Sequence, residues 1–293
     1  MWQRISATLI PTRRDLRFDP SNHCQAGAKI LAVPKHLSKS NSSRYGALWT
    51  REESILAFEL YCRIPFQRTK ANNPAVQELA RLLGRTPASV ARKLGNFGAF
   101  DPELRLKEIS GLTHTSKLDR QVWDEFHADW NALVWKANKF RHEKQHPVEI
   151  ARSLTRPSGS SETLRMTKQR VHQSFFRDAI LSSYEATCCV TGLAIPECLI
   201  ASHIIPWSAD ARFRTDPMNG LCLSATFDRL FDSGLMTVTP DLLVRFSSRI
   251  TESKDRIGEE LLCRYNNHPI RRPHRFLPSL GHLAWHHANR FKQ

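Results

Sequence analysis

His203, Asn219, Asp228 and Asp232 stand close together in the C-terminal half of the chain, and their side chains suit moving a proton and holding a cation. His203 lies in Cys198-Leu199-Ile200-Ala201-Ser202-His203-Ile204-Ile205-Pro206-Trp207, which reads as a short apolar strand ended by proline. An imidazole with an unperturbed pKa near neutrality can accept a proton from water at ordinary pH. Asp228 and Asp232 fall in Ser224-Ala225-Thr226-Phe227-Asp228-Arg229-Leu230-Phe231-Asp232, a helical pattern with Ser224 as its cap, and their spacing puts them on one face. Paired carboxylates suit a hard divalent ion, Mg²⁺ or Mn²⁺, better than a soft one. Each feature also has a plainer reading. A lone histidine in an apolar strand is ordinarily a satisfied core residue, and carboxylates on a helix are ordinarily a solvated face. Arg212, Arg214 and Arg229 are near enough in sequence to clamp phosphates, but exposed arginines serve equally often as solubilising groups.

These residues need a scaffold, and the surrounding pattern supplies one. A helix is expected over residues 169–185, with Val171, Phe175, Phe176, Ile180 and Leu181 on its apolar face and Arg170, Arg177 and Asp178 on its wet face. The strand carrying His203 follows, then a polar loop, then Asp216-Pro217-Met218-Asn219-Gly220 leading into the strand Leu221-Cys222-Leu223. The helix bearing the two aspartates comes next, and Ser233-Gly234 turns the chain into two further strands around Pro240-Asp241.

This order resembles the HNH endonucleases of the ββα-metal superfamily. It is most similar to the subgroup whose signature reads Ala/Ser-His-Ile-x-Pro-Trp, then Asp-Pro-x-Asn-Gly-Leu-x-Leu-Ser, then Phe-Asp-x-Gly-Leu. Those pieces stand here as Ser202 to Trp207, Asp216 to Ser224 and Phe231 to Leu235. Arg275-Phe276-Leu277 and Ala284-Trp285-His286 are similar to the subgroup's closing segment, so the resemblance covers roughly residues 170 to 290. It implies His203 as general base and Asn219 as the residue that holds the loop and orients the imidazole. Asp228 falls where the family places a metal-binding His or Asn, and Asp232 adds a ligand or holds a metal-bound water. Ser202 departs from the common pattern, because many relatives place Asp or His there as a direct ligand and a hydroxyl is a weak one. The ion would then rest chiefly on Asp228 and water, helped by Asp232 or Asp216. Many relatives also grip a structural zinc with two Cys-x-x-Cys pairs. Cys188, Cys189, Cys198 and Cys222 lack that spacing, so no such zinc is expected.

Upstream the texture is helical. Thr50 and Glu53 form a capping-box pattern ahead of Ile55, Leu56, Phe58, Leu60 and Tyr61, and the helix should stop before Pro65. Asn73 to Gly84 reads as a capped helix, and Thr86 with Pro87 opens another over 87–96. Two short helices joined by a glycine turn, the second carrying Ser89, Arg92 and Lys93, make a helix-turn-helix pattern suited to DNA, although structural hairpins share it. Val122, Trp123, Phe126, Trp130, Leu133 and Val134 recur at helical spacing and predict one amphipathic helix closing this part.

Composition sets the outer limits. Of 293 residues, 43 are Lys or Arg against 28 Asp or Glu, a net charge of +15, and basic residues outnumber acidic ones in each of 1–43, 44–150 and 151–293. That distribution suits a polyanionic partner. At 41% hydrophobic the chain can build a core, which excludes general disorder. No apolar run reaches the roughly 18 residues of a membrane span, and no secretory leader is evident. Seven scattered cysteines suit free thiols in a reducing compartment, so a cytoplasmic location is expected. The expected fold class is α+β: a basic leader over 1–43, a helical DNA-binding domain over 44–140, a linker over 141–163 and an HNH nuclease domain over 164–293. The expected function is metal-dependent cleavage of double-stranded DNA in prokaryotic defence, restricting foreign or base-modified DNA. A double-strand break would need a homodimer or two sequential nicks. The alternative is a DNA-binding regulator whose HNH fold has lost catalysis, with Ser202 as the first sign. RNA is the weaker substrate, since a helix-turn-helix reads a major groove that A-form RNA narrows.

Overall fold

Helix α1 (Arg51–Arg63) is the axis of the N-terminal half, buried on nearly every side. Its capping box forms as the sequence predicts: Thr50 Oγ1 accepts from the Glu53 amide at 3.3 Å, and Glu53 Oε2 accepts from the Thr50 amide at 3.0 Å. It ends at Arg63, where Ile64 turns extended ahead of Pro65. In the computed structural model the described residues are 46–109, 115–146, 161–253, 256 and 258–293. The expected leader and residues 147–160 of the expected linker lie outside them.

Helix α2 (Pro74–Leu83) starts at the Asn73 cap and stops at Gly84, whose φ of 63° is the left-handed conformation that glycine adopts without penalty. Helix α3 (Pro87–Gly98) starts at the Thr86 cap. Short α4 (Pro102–Leu106) follows. The amphipathic stretch predicted as one helix is two, α5 (Lys117–Ala128) and α6 (Trp130–Gln145). The break comes at Asp129, whose backbone leaves the helical region while its side chain accepts from the Ala132 amide and caps α6. The apolar stripe survives the break, because Val122, Trp123, Phe126, Trp130, Leu133 and Val134 are all buried together.

Helix α7 (Ser161–Ser183) starts earlier than the pattern suggests. It serves two cores. Phe175 and Ala179 join the helical cluster around Phe58 and Trp123, whereas Phe176, Ile180 and Tyr184 join the cluster under the strands. The described residues accordingly belong to one compact unit. Arg275 adds a second link: almost fully buried, it donates to the carbonyls of Tyr61 (2.6 Å) and Ile64 (2.7 Å), which α1 leaves unpaired at its C-terminus.

Strands β1 (Leu199–His203) and β2 (Gly220–Ser224) pair antiparallel with Ser202 opposite Leu221 and His203 opposite Gly220. Helix α8 (Ala225–Asp232) leaves β2 directly, completing strand, strand, helix. Strands β3 (Met236–Val238) and β4 (Val244–Phe246) form a second antiparallel pair. After α9 (Ser248–Thr251), the terminal α10 (Leu280–Asn289) packs on β3. The mixed α+β class is as expected. No described helix is long and apolar enough to cross a membrane.

Candidate active site

His203 ends β1, and its ring lies flat on Phe176 of α7, with centroids 3.7 Å apart and planes 9° from parallel. Trp207 meets it edge-on at 5.6 Å. The Phe176 stack depends on Gly220, the register partner of His203, since a Cβ there would overlap Ile180 and the Phe176 ring. His203 Nε2 is 3.0 Å from the Arg214 carbonyl oxygen. A carbonyl only accepts, so Nε2 carries the proton and Nδ1 is left with the lone pair. Burial, opposed by that hydrogen bond, lowers the pKa to about 4, so the ring is neutral at pH 7.

The loop that carries Arg214 is tied down by Asn219. Its buried amide accepts at Oδ1 from the Ile205 amide (2.8 Å) and donates through Nδ2 to the carbonyls of Ile205 (3.0 Å) and Phe213 (3.2 Å). Asp216, a candidate helper in metal binding, instead builds the same loop: Oδ1 accepts from the Met218 amide at 2.8 Å, and burial raises its pKa to about 6. Arg214 also belongs to the loop. Its guanidinium donates to the Trp207 carbonyl and sits over the Trp207 ring. Arg212 is exposed and paired with neighbouring Asp210.

Asp228 and Asp232 project from α8, the first half-buried and the second exposed. Burial raises both pKa values. At Asp228 the neighbouring Asp232 charge adds to the rise, while Ser202 and Arg229 oppose it; at Asp232, Arg290 and Arg229 oppose it. The Ser202 hydroxyl is buried beside Asp228 with no partner at good hydrogen-bond geometry. Ser202, Asp228 and Asp232 are thus brought together with His203's strand, and exposed Arg229 lies beside the carboxylates. Among the described residues no three His, Cys, Asp or Glu side chains converge as a metal cage. Two carboxylates and an unsatisfied hydroxyl fit a hard ion that keeps much of its water, rather than a tightly enclosed one.

Residues the sequence did not single out complete the support. Arg177, placed on the wet face of its helix, donates to the Leu199 and Pro196 carbonyls and anchors the start of β1. His286, visible only as part of the closing segment, stacks on Phe231 and bridges the Phe231 carbonyl and the Thr237 hydroxyl, fixing the end of α8. Residues 188–239 match the HNH endonuclease family. No curated protein matches the chain. The matched segment contains β1, β2, α8 and β3, and with them His203, Asn219, Asp228 and Asp232.

Ser89, Arg92 and Lys93 lie elsewhere, on a groove of about 550 Å³ that also takes in Trp49, Asn96 and Lys117. Lys93 does not stand on the surface as the helix-turn-helix pattern predicts. Its Nζ is buried, 2.6 Å from Asp119 and over the Trp49 ring, so its charge is neutralised inside the fold and is not offered to a phosphate. Arg92 is exposed and Ser89 half-exposed.

Proposed function

We propose that this chain is a metal-dependent DNA endonuclease that hydrolyses phosphodiester bonds with His203 as general base. The observation that carries the reading is the His203–Arg214 hydrogen bond, which leaves Nδ1 as a free acceptor on a ring held neutral. Nδ1 takes the proton of the attacking water. Asn219 keeps the loop and its carbonyl in place and does not touch the reacting atoms. Ser202, Asp228 and Asp232 would hold a divalent ion, Mg²⁺ or Mn²⁺, which when bound offsets charge on the scissile phosphate and the departing oxygen. Arg229, exposed beside the carboxylates, would meet a neighbouring phosphate.

Double-stranded DNA is the substrate in this reading, cut to 5′-phosphate and 3′-hydroxyl ends as in similar nucleases. One such site cuts one strand, so a double-strand break takes two copies or two nicks. The α2–α3 pair supplies a helix-turn-helix contact through Ser89 and Arg92. The setting that suits these parts is defence, restricting foreign or base-modified DNA in a prokaryotic cytoplasm. Plasmid nicking by purified protein with Mg²⁺ or Mn²⁺, absent in chelator, tests the reading; cutting unaffected by His203→Ala would overturn the role of the base.

The sparse ligand set, with serine beside the base, favours a second reading in which the fold binds DNA without cutting it. Calorimetric titration with Mn²⁺ separates the two, because a regulator of this kind binds DNA with a salt slope but takes up no ion.

A further inference from the structure

The loop that touches the His203 ring is gripped from outside the HNH match. Asn131, near the start of α6 in the helical half, donates through Nδ2 to the carbonyls of Ala211 (3.1 Å) and Arg212 (3.0 Å). Its Oδ1 accepts from the Thr215 hydroxyl at 2.8 Å. Both amide hydrogens are thereby used on adjacent carbonyls, and the carbonyl oxygen takes the one hydroxyl that the loop turns inward. Thr215 is completely buried, so its bond to Asn131 is partly sheltered, whereas the two bonds to the loop carbonyls lie at the exposed surface. Between the gripped residues sits Arg214, whose carbonyl oxygen receives the proton on His203 Nε2. Asn219 holds the same loop at Phe213 from the β2 side. The Arg214 peptide is therefore clamped between an asparagine of the nuclease hairpin and one of the helical half.

A neutral imidazole has two tautomers of similar intrinsic energy, and the acceptor placed at one nitrogen decides which is populated. If the Arg214 carbonyl turns away, the proton is no longer held at Nε2 and the lone pair is shared between the two nitrogens. Ring orientation alone does not prevent this, because the Phe176 stack restrains the plane and not the proton.

We propose that Asn131 is a positioning residue for His203: by pinning residues 211–215 from α6 it keeps the Arg214 carbonyl on Nε2 and the lone pair on Nδ1. The catalytic consequence rests on the nuclease reading; the coupling between an α6 amide and the imidazole tautomer does not. It also gives the helical half a role beyond DNA contact, since a displacement of α6 reaches the base through the three Asn131 bonds, the Arg214 peptide and its hydrogen bond to His203. A purely docking role for Asn131 would cost stability on its loss and leave the imidazole unchanged.

The test uses the full chain labelled with ¹⁵N-histidine, with the His203 resonances identified by their loss in His203→Ala. Asn131→Asp keeps the acceptor for Thr215 and removes both donors. Thr215→Val removes the hydroxyl at constant shape, and Thr215→Ser restores it. Wild type and Thr215→Ser are expected to show the proton on Nε2, whereas Asn131→Asp and Thr215→Val shift the two nitrogens towards an averaged tautomer. In single-turnover plasmid cleavage with Mg²⁺, the same two variants should fall about tenfold or more in rate with an unchanged half-saturating DNA concentration. If Asn131→Asp does not fold, the Val and Ser pair at Thr215 decides the matter. Folded Asn131→Asp and Thr215→Val with a wild-type imidazole spectrum overturn the proposal. A shifted spectrum in a chain whose wild type never cuts DNA upholds the positioning and removes the nuclease reading.

Discussion

Around α3 in the helical half, basic side chains are drawn into the fold: Lys93 is buried against Asp119 and Arg85 against Glu53, each side chain under 5% exposed. Around the β1–β2 hairpin the arrangement is reversed. Asp228 is half-buried, Asp232 and Arg229 are exposed, and the buried Ser202 hydroxyl lacks a well-placed partner. In the first region these two charges are satisfied within the fold. The second holds groups that a ligand can still satisfy. The comparison separates charge that builds a surface from charge that is available on it, a distinction that counting lysines and arginines does not make.

The largest effect should come from the second region. His203→Ala removes the proposed base and should leave the hairpin paired, and plasmid cleavage is expected to fall by about 10²- to 10⁴-fold. DNA affinity, measured by fluorescence anisotropy, should stay within about twofold of wild type. A comparable loss of affinity would mean that His203 supports the fold of the binding surface, and the contrast between the regions would weaken.

In the first region the corresponding substitution is Lys93→Met, which leaves Asp119 buried without its counter-charge. Breaking a buried pair from one side costs about 3–5 kcal/mol, so urea unfolding should show a midpoint lowered accordingly. Near-normal stability, with DNA binding lost, would instead make Lys93 a phosphate contact and erase the distinction.

Histidines sharpen the comparison through pH. His127 is enclosed by Trp123 and Trp130, with ring centroids 4.1 and 4.7 Å away, and burial lowers its pKa to about 4. An unfolded histidine protonates near 6.5. Between those values the unfolded chain binds the extra proton, so the stability contributed by neutral His127 is full above about 6.5 and is lost as pH falls through the window. Glu103 acts in the opposite sense. Burial and its hydrogen bond to Asp101 raise its pKa to about 7, so it favours the folded state as pH falls from there. His127→Phe isolates the first effect: urea unfolding at pH 7.5 and 4.5 should show the wild type losing on the order of 2 kcal/mol more than the variant. Equal losses would mean that the ring carries its proton inside the aromatic box.

The sequence was most informative where local chemistry dictates structure. Thr50 with Glu53, Asn73 with Pro74, and Thr86 with Pro87 start helices by satisfying their first amides, and each does so here. The His203, Asn219 and Asp228 spacings placed a strand, loop, strand and helix correctly because each depends on near neighbours. Long-range partners were not legible. Nothing around Lys93 announces Asp119, Arg177 looks like a solvent-facing helix residue until β1 is seen beneath it, and Asn131 sits more than seventy positions from the loop it holds. The break at Asp129 is hidden for a related reason: an apolar stripe continues across a break when both helices face the same core, so periodicity alone cannot locate a cap inside it.

The smallest expected effect concerns Arg92, the exposed neighbour of Lys93 on α3. An exposed cation meeting a DNA phosphate displaces about one counterion, so Arg92→Ala should lower the slope of log affinity against log salt by about one. Stability should be unchanged, since its guanidinium is not enclosed by the fold. The weakening should also be uniform across DNA sequences, because a phosphate contact carries no base information. If Arg92 instead read a base edge, its loss would relax preference at one position of the cleavage site and leave the salt slope nearly intact. Cleavage-site sequencing with wild type and Arg92→Ala at two salt concentrations distinguishes these outcomes. An unchanged slope together with an unchanged site would take α3 out of the DNA interface, leaving the residues around α8 as the chain's available charge.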